Sequence, residues 1–299
     1  MALTGTHTRT LYRSNGLHLG EFRCSPDSEL WQGENVIGDA PHIVFPRTSV
    51  VIRHAQSEPV LANRNHVMFY NAGQRYWRRL HDTSGDYSHF VEVTAELLAE
   101  VSDGDGPIDF SFSHGPAEGR LYAIVALVVR HLSQERPDEL LVEESLARAV
   151  ERSLAAASAF HRSRRPRRRP RPALHRELVE QAKELLTETA TDRLSLTDLG
   201  RRLHASEYHL ARVFRAGTGF TLHGYRTQLR LQIALEQLRR PDTSLTALAT
   251  DLGFASHSHF TDTFRRAFGV PPSALRGEIG AHRLRELSRI VEAPRLPAF

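Results

Sequence analysis

Hydrophobic and polar residues alternate in short runs through the first half of the chain. Three runs, residues 42–54, 59–73 and 87–97, are rich in β-branched and aromatic residues and are separated by Pro, Gly, Asn and Asp. Runs of this kind are typical of strands in an antiparallel sheet or a small barrel. We therefore expect residues 1–116 to form a β-rich domain.

Two helical patterns follow, over residues 118–135 and 137–160. The first is apolar through its middle, which predicts a largely buried helix. The second begins with Pro137 and acidic residues, as helix N-termini prefer. Its apolar residues form one stripe: Val142, Leu146, Ala149, Val150, Ala157 and Phe160. This stripe would either cover the sheet or pair with its copy in a second chain, and the sequence favours neither.

An Arg/Pro-rich segment, HRSRRPRRRPRPAL (161–174), separates these helices from the rest of the chain. Repeated proline disfavours a helix, and the segment has almost no apolar area to bury. It predicts an exposed linker, which we place at residues 161–173. Its arginines would also be able to contact phosphates without sequence preference.

The apolar pattern after the linker is helical and occurs twice, over residues 195–220 and 244–270. Leu196, Leu199 and Leu203 match Leu245, Leu248 and Leu252, which lie 49 positions later. Leu210, Phe214, Arg215 and Gly219 match Phe260, Phe264, Arg265 and Gly269, which lie 50 positions later. Matched apolar positions and glycines predict one structural unit built twice.

Each copy has the pattern of a helix-turn-helix. A short helix is followed by a tight turn that ends in Ser206 or Ser256, and serine there would cap a second helix with a free polar face. A further helix, residues 221–240, would join the copies at a fixed separation. Two such second helices enter successive major grooves of DNA when they lie about 34 Å apart.

The charge distribution agrees with a nucleic-acid partner for the second half. Residues 1–160 hold 14 Lys+Arg and 21 Asp+Glu, a balance of −7, whereas residues 161–299 hold 25 and 14, a balance of +11. A basic half joined to an acidic half is typical of a protein of which one part meets a polyanion.

Several classes of protein are disfavoured. No apolar run is long enough to cross a membrane, and the N-terminus lacks the apolar core of a signal peptide, so we expect a cytoplasmic protein. A single cysteine, Cys24, excludes an intramolecular disulfide and a zinc site built from several thiolates.

Residues 174–276 resemble the DNA-binding domain of AraC/XylS-type transcriptional regulators. The resemblance rests on HLARVFRAGTGFTLHGYRTQLRLQIALEQL and on LATDLGFASHSHFTDTFRRAFGVPPSALR. Gly200 stands where the family usually has alanine, and Leu275 where it usually has tyrosine. Both departures concern local packing rather than positions that face DNA.

The resemblance implies an α+β protein. We expect an N-terminal antiparallel β barrel of the cupin-like type (1–116), two dimerisation helices (117–160), the linker (161–173), an all-α domain with two helix-turn-helix units joined by a helix (174–276) and a C-terminal tail (277–299). It also implies a transcriptional regulator, in most members an activator. The expected partners are double-stranded promoter DNA, RNA polymerase, a small-molecule effector and a second copy of the chain, without a cofactor or a membrane.

The resemblance also assigns the residues that meet DNA. The base-facing positions are Tyr208, Ala211 and Arg212 in the first unit, and His257, Ser258, Thr261 and Asp262 in the second. The residues expected at the DNA backbone are Ser206, Arg215, Ser256, Arg265 and Arg266. Arg212 would pair bidentately with guanine O6 and N7. Asp262 would either accept from cytosine N4 or repel the backbone, so we expect the first unit to carry more of the sequence specificity.

Two metal-site hypotheses compete with this interpretation. His257, His259 and Asp262 lie close in sequence, but two residues apart on a helix point about 200° away from each other. A metal-dependent cupin enzyme would need a His-x-His pair in residues 1–160, which the sequence lacks. The nearest cluster is His81, Asp86 and His89. We therefore expect no metal and no enzymatic activity.

A candidate effector pocket completes the sequence-based hypothesis. Aromatic and polar residues of the predicted strands would line it: Phe45, Arg47, Phe69, Tyr70, Tyr76, Trp77 and His81. The alternatives are that these aromatic residues are plain core, and that the barrel serves only for dimerisation or protein contact.

Overall fold

The computed structural model describes residues 5–101, 109–163, 172–192, 194–277 and 279–292. It divides into an N-terminal unit, Met1–Arg162, and a C-terminal unit, Ser163–Phe299. The N-terminal unit is built on antiparallel sheets and the C-terminal unit on helices, which confirms the α+β expectation at this level. The finer segment boundaries stay a prediction.

Two antiparallel sheets form the base of the N-terminal unit. The strands are β1 Thr6–Arg13, β2 Leu17–Cys24, β3 Asn35–Val36, β4 His42–Pro46, β5 Val50–His54, β6 Val60–Ala62, β7 His66–Tyr70, β8 Arg75–Leu80, β9 Asp86–Val93 and β10 His114–Pro116. One sheet has the order β1-β2-β9-β4-β7-β10 and the other the order β3-β8-β5-β6. A 3-10 helix, Glu29–Trp31, precedes β3.

The sheets face each other across a shared core. Val50 and Ile52 of β5 pack in one cluster with Met68 and Tyr70 of β7 and with Tyr76 of β8. Because successive side chains of a strand point to opposite faces, Phe69 and Trp77 lie on the outer faces of the two sheets. We call the facing sides of the sheets the inner faces.

Three helices belong to the same unit: α1 Ala95–Val101, α2 Gly119–His131 and α3 Glu139–Ser163. All residues of α2 from Leu121 to His131 are buried, as its apolar sequence predicts. The stripe of α3 is largely buried within this single chain: Val142, Leu146, Ala149, Val150 and Ala157 have no accessible surface. The stripe therefore covers its own unit, the first of the two alternatives.

The C-terminal unit contains α4 Pro172–Glu188, α5 Leu196–Arg202, α6 Glu207–Thr218, α7 Leu222–Gln237, α8 Leu245–Asp251, α9 His257–Phe268, a 3-10 helix Pro272–Leu275 and α10 Ala281–Glu292. Helices α5 and α6 form the first helix-turn-helix, α8 and α9 form the second, and α7 joins them, as the repeat predicts. Helix α10 occupies part of the segment described above as a tail, and its Leu284 is fully buried.

Helices enter the predicted linker from both sides. Helix α3 extends to Ser163, and α4 begins at Pro172, where the first turn of a helix tolerates proline. The predicted linker is therefore helical at both of its described ends. Its central residues, 164–171, lie outside the described part of the chain.

Helices α6 and α9, the candidate recognition helices, begin and end at residues that match in the repeat. The Ser206 hydroxyl accepts from the His209 amide and the Ser256 hydroxyl from the His259 amide, which confirms both predicted N-caps. Gly219 and Gly269 end the helices in the left-handed conformation, with φ of 80° and 82°. Glycine adopts this φ without a side-chain clash, so both helices stop at the same point.

Candidate nucleic-acid interface

Helix α6 has one buried apolar face and one exposed polar face. Leu210, Val213 and Phe214 are buried and pack in a cluster with residues of α4, α5 and α7. On the opposite side, Tyr208 is 81% exposed and Arg212 is exposed. A large aromatic residue left this open on a single chain is available to a partner.

The remaining residues that the sequence assigned to α6 are partly engaged. Ser206 is exposed and caps the helix, and Arg215 is exposed one turn after Arg212. Ala211 is half-buried against the apolar cluster, at the edge of the polar face. Glu207 accepts a hydrogen bond of 2.6 Å from the Thr197 hydroxyl, which links α6 to α5.

Helix α9 has the same arrangement with fewer cations. Phe260, Phe264 and Phe268 are buried and stack edge to face, with centroids 5.7 and 4.5 Å apart. Exposed on the other side are Ser256, His257, Ser258, Asp262, Arg265 and Arg266. The face combines one carboxylate at its centre with two arginines in its last turn.

Thr261 of α9 occupies the position of Ala211 and is likewise half-buried. Its hydroxyl oxygen is buried and has no hydrogen-bond partner among the described residues. A buried, unpaired hydroxyl is costly. The half-burial of Ala211 and Thr261 puts both at the border of the polar faces.

The two histidines of α9 do not converge. Both are exposed, but the His259 ring lies edge to face with Phe254 at 5.7 Å. His259 also lies near α7, where its charge contributes to the lowered pKa of His223, which is caused mainly by burial. No group of three or more His, Cys, Asp or Glu in the described part of the chain is placed to hold a metal ion.

The candidate effector residues of the N-terminal unit do not meet in one place. Tyr70 and Tyr76 share the inner faces, with ring centroids 5.0 Å apart. Phe69 packs on Phe110 and Phe112 on the outer face instead, and Trp77 stacks under Arg53.

The other three candidates are also separated from the tyrosine pair. Phe45 is buried on the outer-face side of β4, because its neighbour Val44 packs against the core between the sheets. Arg47 lies 4.9 Å from the Tyr122 ring of α2, and His81 follows the end of β8. Strand alternation, which the sequence-based list ignored, separates Phe45, Phe69 and Trp77 from the tyrosine pair.

The sequence-based list missed a polar group on the inner faces. The Arg78 guanidinium donates to Asp86 at 3.0 Å and also contacts the Tyr76 hydroxyl, and all three residues are buried. His54 lies 4.5 Å from the Tyr70 ring, and burial lowers its pKa to about 4. Its Nε2 has no hydrogen-bond partner in the described part of the chain.

A row of polar side chains crosses the six-stranded sheet. His18, Glu92, His42 and Tyr70 are cross-strand neighbours on β2, β9, β4 and β7. The Glu92 carboxylate lies 2.6 Å from His18 Nδ1 and 3.2 Å from His42 Nε2. Finding this row from the sequence would have required the strand order, which no local signal carries.

Asp86 and His89, two members of the sequence-based metal cluster, are held by other partners. Asp86 pairs with Arg78, and His89 Nε2 lies 3.1 Å from the Tyr87 hydroxyl. The two residues are three apart on β9 and therefore point to opposite faces.

The match with a protein-family model falls on the two helix-turn-helix units. A family model described as a helix-turn-helix domain matches residues 199–278. The regulatory protein SoxS of Salmonella typhimurium is 32% identical over 110 residues, which are 37% of this chain and 98% of SoxS. The chain belongs to the AraC family of transcriptional regulators.

Other AraC-family relatives match over a smaller share of their length. The Msm operon regulatory protein of Streptococcus mutans is 28% identical over 101 residues, 34% of this chain and 36% of that protein. PocR of Salmonella typhimurium is 28% identical over 108 residues, 36% of each chain. This chain thus spans about a third of the length of these two relatives.

Solved structures give weaker likenesses. ToxT of Vibrio cholerae matches 87% of this chain and 97% of its own, with 12% identity and a TM-score of 0.34. An AraC-type regulator from Chromobacterium violaceum matches 41% of this chain and 99% of its own, with 24% identity and a TM-score of 0.31. The family assignment rests on the sequence relatives.

The AraC family consists of DNA-binding transcriptional regulators rather than enzymes. None of the helices in the described part of the chain has the length and apolar character needed to cross a bilayer.

Proposed function

We propose that this protein regulates transcription by placing α6 and α9 in successive major grooves of promoter DNA. The observation that carries the proposal is the matched pair of exposed polar faces on two helices with equivalent buried cores and caps. Helix α7 joins the two units, so the faces are parts of one folded domain rather than independent modules.

In this proposal the first unit supplies most of the base recognition. Tyr208 and Arg212 are exposed on α6, and Ala211 borders them. Arg212 pairs with a guanine, because its guanidinium can donate to O6 and N7 together. Tyr208 contacts a base edge or a thymine methyl group.

The second unit contributes less specificity. Its base-facing set is His257, Ser258, Thr261 and Asp262, which includes no arginine or lysine. The negative potential of DNA repels the carboxylate of Asp262, unless this carboxylate accepts a hydrogen bond from a cytosine amino group. Phosphate contacts come from the helix-capping serines and the following arginines: Ser206, Arg215, Ser256, Arg265 and Arg266.

Genome-wide mapping of DNA bound by the full-length protein tests this function. We expect a motif with two half-sites about one helical turn apart, with the more strongly constrained half-site under α6. Binding without any enriched motif would contradict the proposal. Enrichment of a single half-site would limit it to the first unit.

The N-terminal unit is proposed to close into a cupin-like barrel that binds a small-molecule effector between its inner faces. The support is the polar group there: His54, Tyr70, Tyr76, Arg78 and Asp86. The ligand would carry polar groups, since hydrogen-bonding side chains lie beside the apolar core residues Val50, Ile52 and Met68. Of the seven residues chosen from the sequence, this proposal uses Tyr70 and Tyr76.

A screen of small polar metabolites by thermal unfolding of the full chain tests effector control. A ligand that raises Tm and changes affinity for the mapped DNA site supports it. If no compound does both, the alternative of an effector-independent regulator is favoured. A Tyr70→Phe variant, which keeps the ring stacking, should weaken the response to such a ligand.

The proposed regulator acts as a cytoplasmic homodimer that contacts RNA polymerase and activates transcription. A dimer would need a surface other than the apolar stripe of α3, because that stripe is buried in the single chain. Leu140, 68% exposed on the same helix, is a candidate contact. Sedimentation of wild type and Leu140→Glu would test this, with a monomeric wild type contradicting it.

A further inference from the structure

Helix α7 carries a buried arginine that holds two parts of the C-terminal unit together. Arg230 is 7% exposed. Its Nε donates to the Ala190 carbonyl at 2.5 Å, its Nη2 to the Asp192 carbonyl at 2.8 Å and its Nη1 to the Gly253 carbonyl at 2.9 Å. Each of its three nitrogens therefore binds a backbone oxygen.

These carbonyls belong to two different parts of the C-terminal unit. Ala190 packs in the apolar cluster of the first unit, and Asp192 follows it in the segment between α4 and α5. Gly253 lies in the turn between α8 and α9. The Arg230 guanidinium thus binds at once the segment that leads into the first unit and the turn of the second unit. We call this arrangement the Arg230 clamp.

Gly253 permits the close approach that the clamp needs. A Cβ on Gly253 would lie 2.7 Å from the Thr191 carbonyl oxygen and 2.9 Å from Arg230 Nη2, closer than such atoms can approach. The φ of Gly253 is also 71°, which L side chains rarely adopt. The equivalent turn residue of the first unit is His204, with φ 50°, so the close backbone contact is specific to the second unit.

The clamp depends on the geometry of the buried guanidinium. Burial lowers the pKa of Arg230 to about 10, because it removes the charge from water, and the nearby charge of Arg226 lowers it further. The three carbonyls take the place of water around the guanidinium. The planar guanidinium holds three oxygens in one geometry, whereas a lysine would supply only a single charge on a flexible side chain.

We infer that Arg230 is a positioning residue for DNA recognition. By fixing the turn before α9 against the first unit, it sets the position of α9 relative to α6, and hence the half-site spacing that the protein accepts. This inference rests on the proposed use of both helices on DNA. Arg230 itself is buried and contacts no base.

A neighbouring arginine gives a matched control. Arg226 lies one turn earlier on α7 and is half-buried, and its Nη1 donates to the Leu194 carbonyl at 2.8 Å. Leu194 also packs on the cluster of the first unit. Arg226→Met therefore removes a shielded arginine–carbonyl bond from the same helix without touching the turn of the second unit.

The test measures affinity of the full chain for DNA duplexes with two half-sites at spacings of about 8 to 13 base pairs, and for a single half-site. Wild type should prefer one spacing. Arg230→Met should lose about tenfold at that spacing and bind the other spacings within about twofold of wild type, so the preference flattens. Its affinity for the single half-site should not change.

The variants separate positioning from general stability. Arg226→Met should keep the wild-type spacing profile. Arg230→Lys and Gly253→Ala should flatten the profile as Arg230→Met does. Either of them can replace Arg230→Met in the test if Arg230→Met does not fold. An unchanged spacing preference in folded Arg230 and Gly253 variants would overturn the inference. If wild type itself shows no specific binding, the proposed function fails instead.

Discussion

Replacing Arg212 with alanine isolates the residue proposed to read a base. Its guanidinium is exposed, and the one hydrogen-bond contact described for it is to His209 Nδ1 at 3.5 Å. Exposed substitutions away from caps and buried networks change stability by about 0.5 kcal/mol or less. The Arg212→Ala variant should therefore unfold at nearly the wild-type Tm, so a change in DNA affinity would report on recognition.

The expected loss follows from the proposed contact. A bidentate arginine–guanine pair discriminates by about 1–3 kcal/mol, which corresponds to about 5-fold to 150-fold in Kd. The loss should apply to the preferred site, whereas affinity for unrelated duplexes should fall less. Specificity is thus expected to relax at one base pair of the α6 half-site.

Fluorescence anisotropy with the mapped site, a site mutated at each position and an unrelated duplex would measure these changes. Arg215→Ala is the matched control, since Arg215 is exposed one turn later on the same helix and is assigned to phosphate. It should weaken binding to every duplex and lower the slope of log K against log salt by about one. Equal loss for Arg212→Ala on all three DNAs would refute its base-reading role.

Three further predictions concern charge. Asp262→Asn should raise affinity for all duplexes by about fivefold in anisotropy assays, because a carboxylate leaves the DNA-facing side of α9; a loss confined to the preferred site would contradict this. Asp86→Ala should cost about 3–5 kcal/mol in urea unfolding by leaving Arg78 buried and unpaired, more than replacing both residues with apolar ones; a cost below 1 kcal/mol would argue against the pairing. The pKa of His54 in the folded chain, about 4, lies below the usual 6.5, so protonation of His54 favours the unfolded chain. The contribution of neutral His54 to the free energy of unfolding is therefore full above pH 6.5 and is lost as the pH falls towards 4. His54→Gln should remove about 2 kcal/mol of the stability difference between pH 7.5 and pH 5, and an unchanged difference would contradict this.

The sequence predicted the helical half of the molecule well because its signals there are local. Ser206 and Ser256 cap the helices that follow them, and Gly219 and Gly269 end those helices, as their places in the repeat indicate. Leucine and phenylalanine at helical spacing then supply the buried faces. Local capping and periodicity determine these elements almost independently of the rest of the chain.

The β-rich half was predicted only in outline. Its strands follow from β-branched and aromatic runs, but strand order depends on contacts between residues far apart in sequence. Adjacent residues such as Phe69 and Tyr70 therefore entered one candidate pocket although they face opposite sides of a strand. The row formed by His18, Glu92 and His42 was missed for the same reason.

Two features of the C-terminal unit were also beyond the sequence. Arg230 belongs to a helix whose apolar positions were recognised, but nothing local shows that its guanidinium meets carbonyls 23 and 40 positions away. The sequence analysis predicts a tail after residue 277, yet Leu284 of α10 is buried.

Hydroxyl-radical footprinting of the full-length protein on its mapped site tests the central claim most directly. Two recognition helices joined by α7 predict two protected windows on one face of the duplex, centred about 10 base pairs apart. Weaker protection is expected under α9, and Asp262→Asn should strengthen it. A single protected window, or two windows on opposite faces of the duplex, would contradict the account.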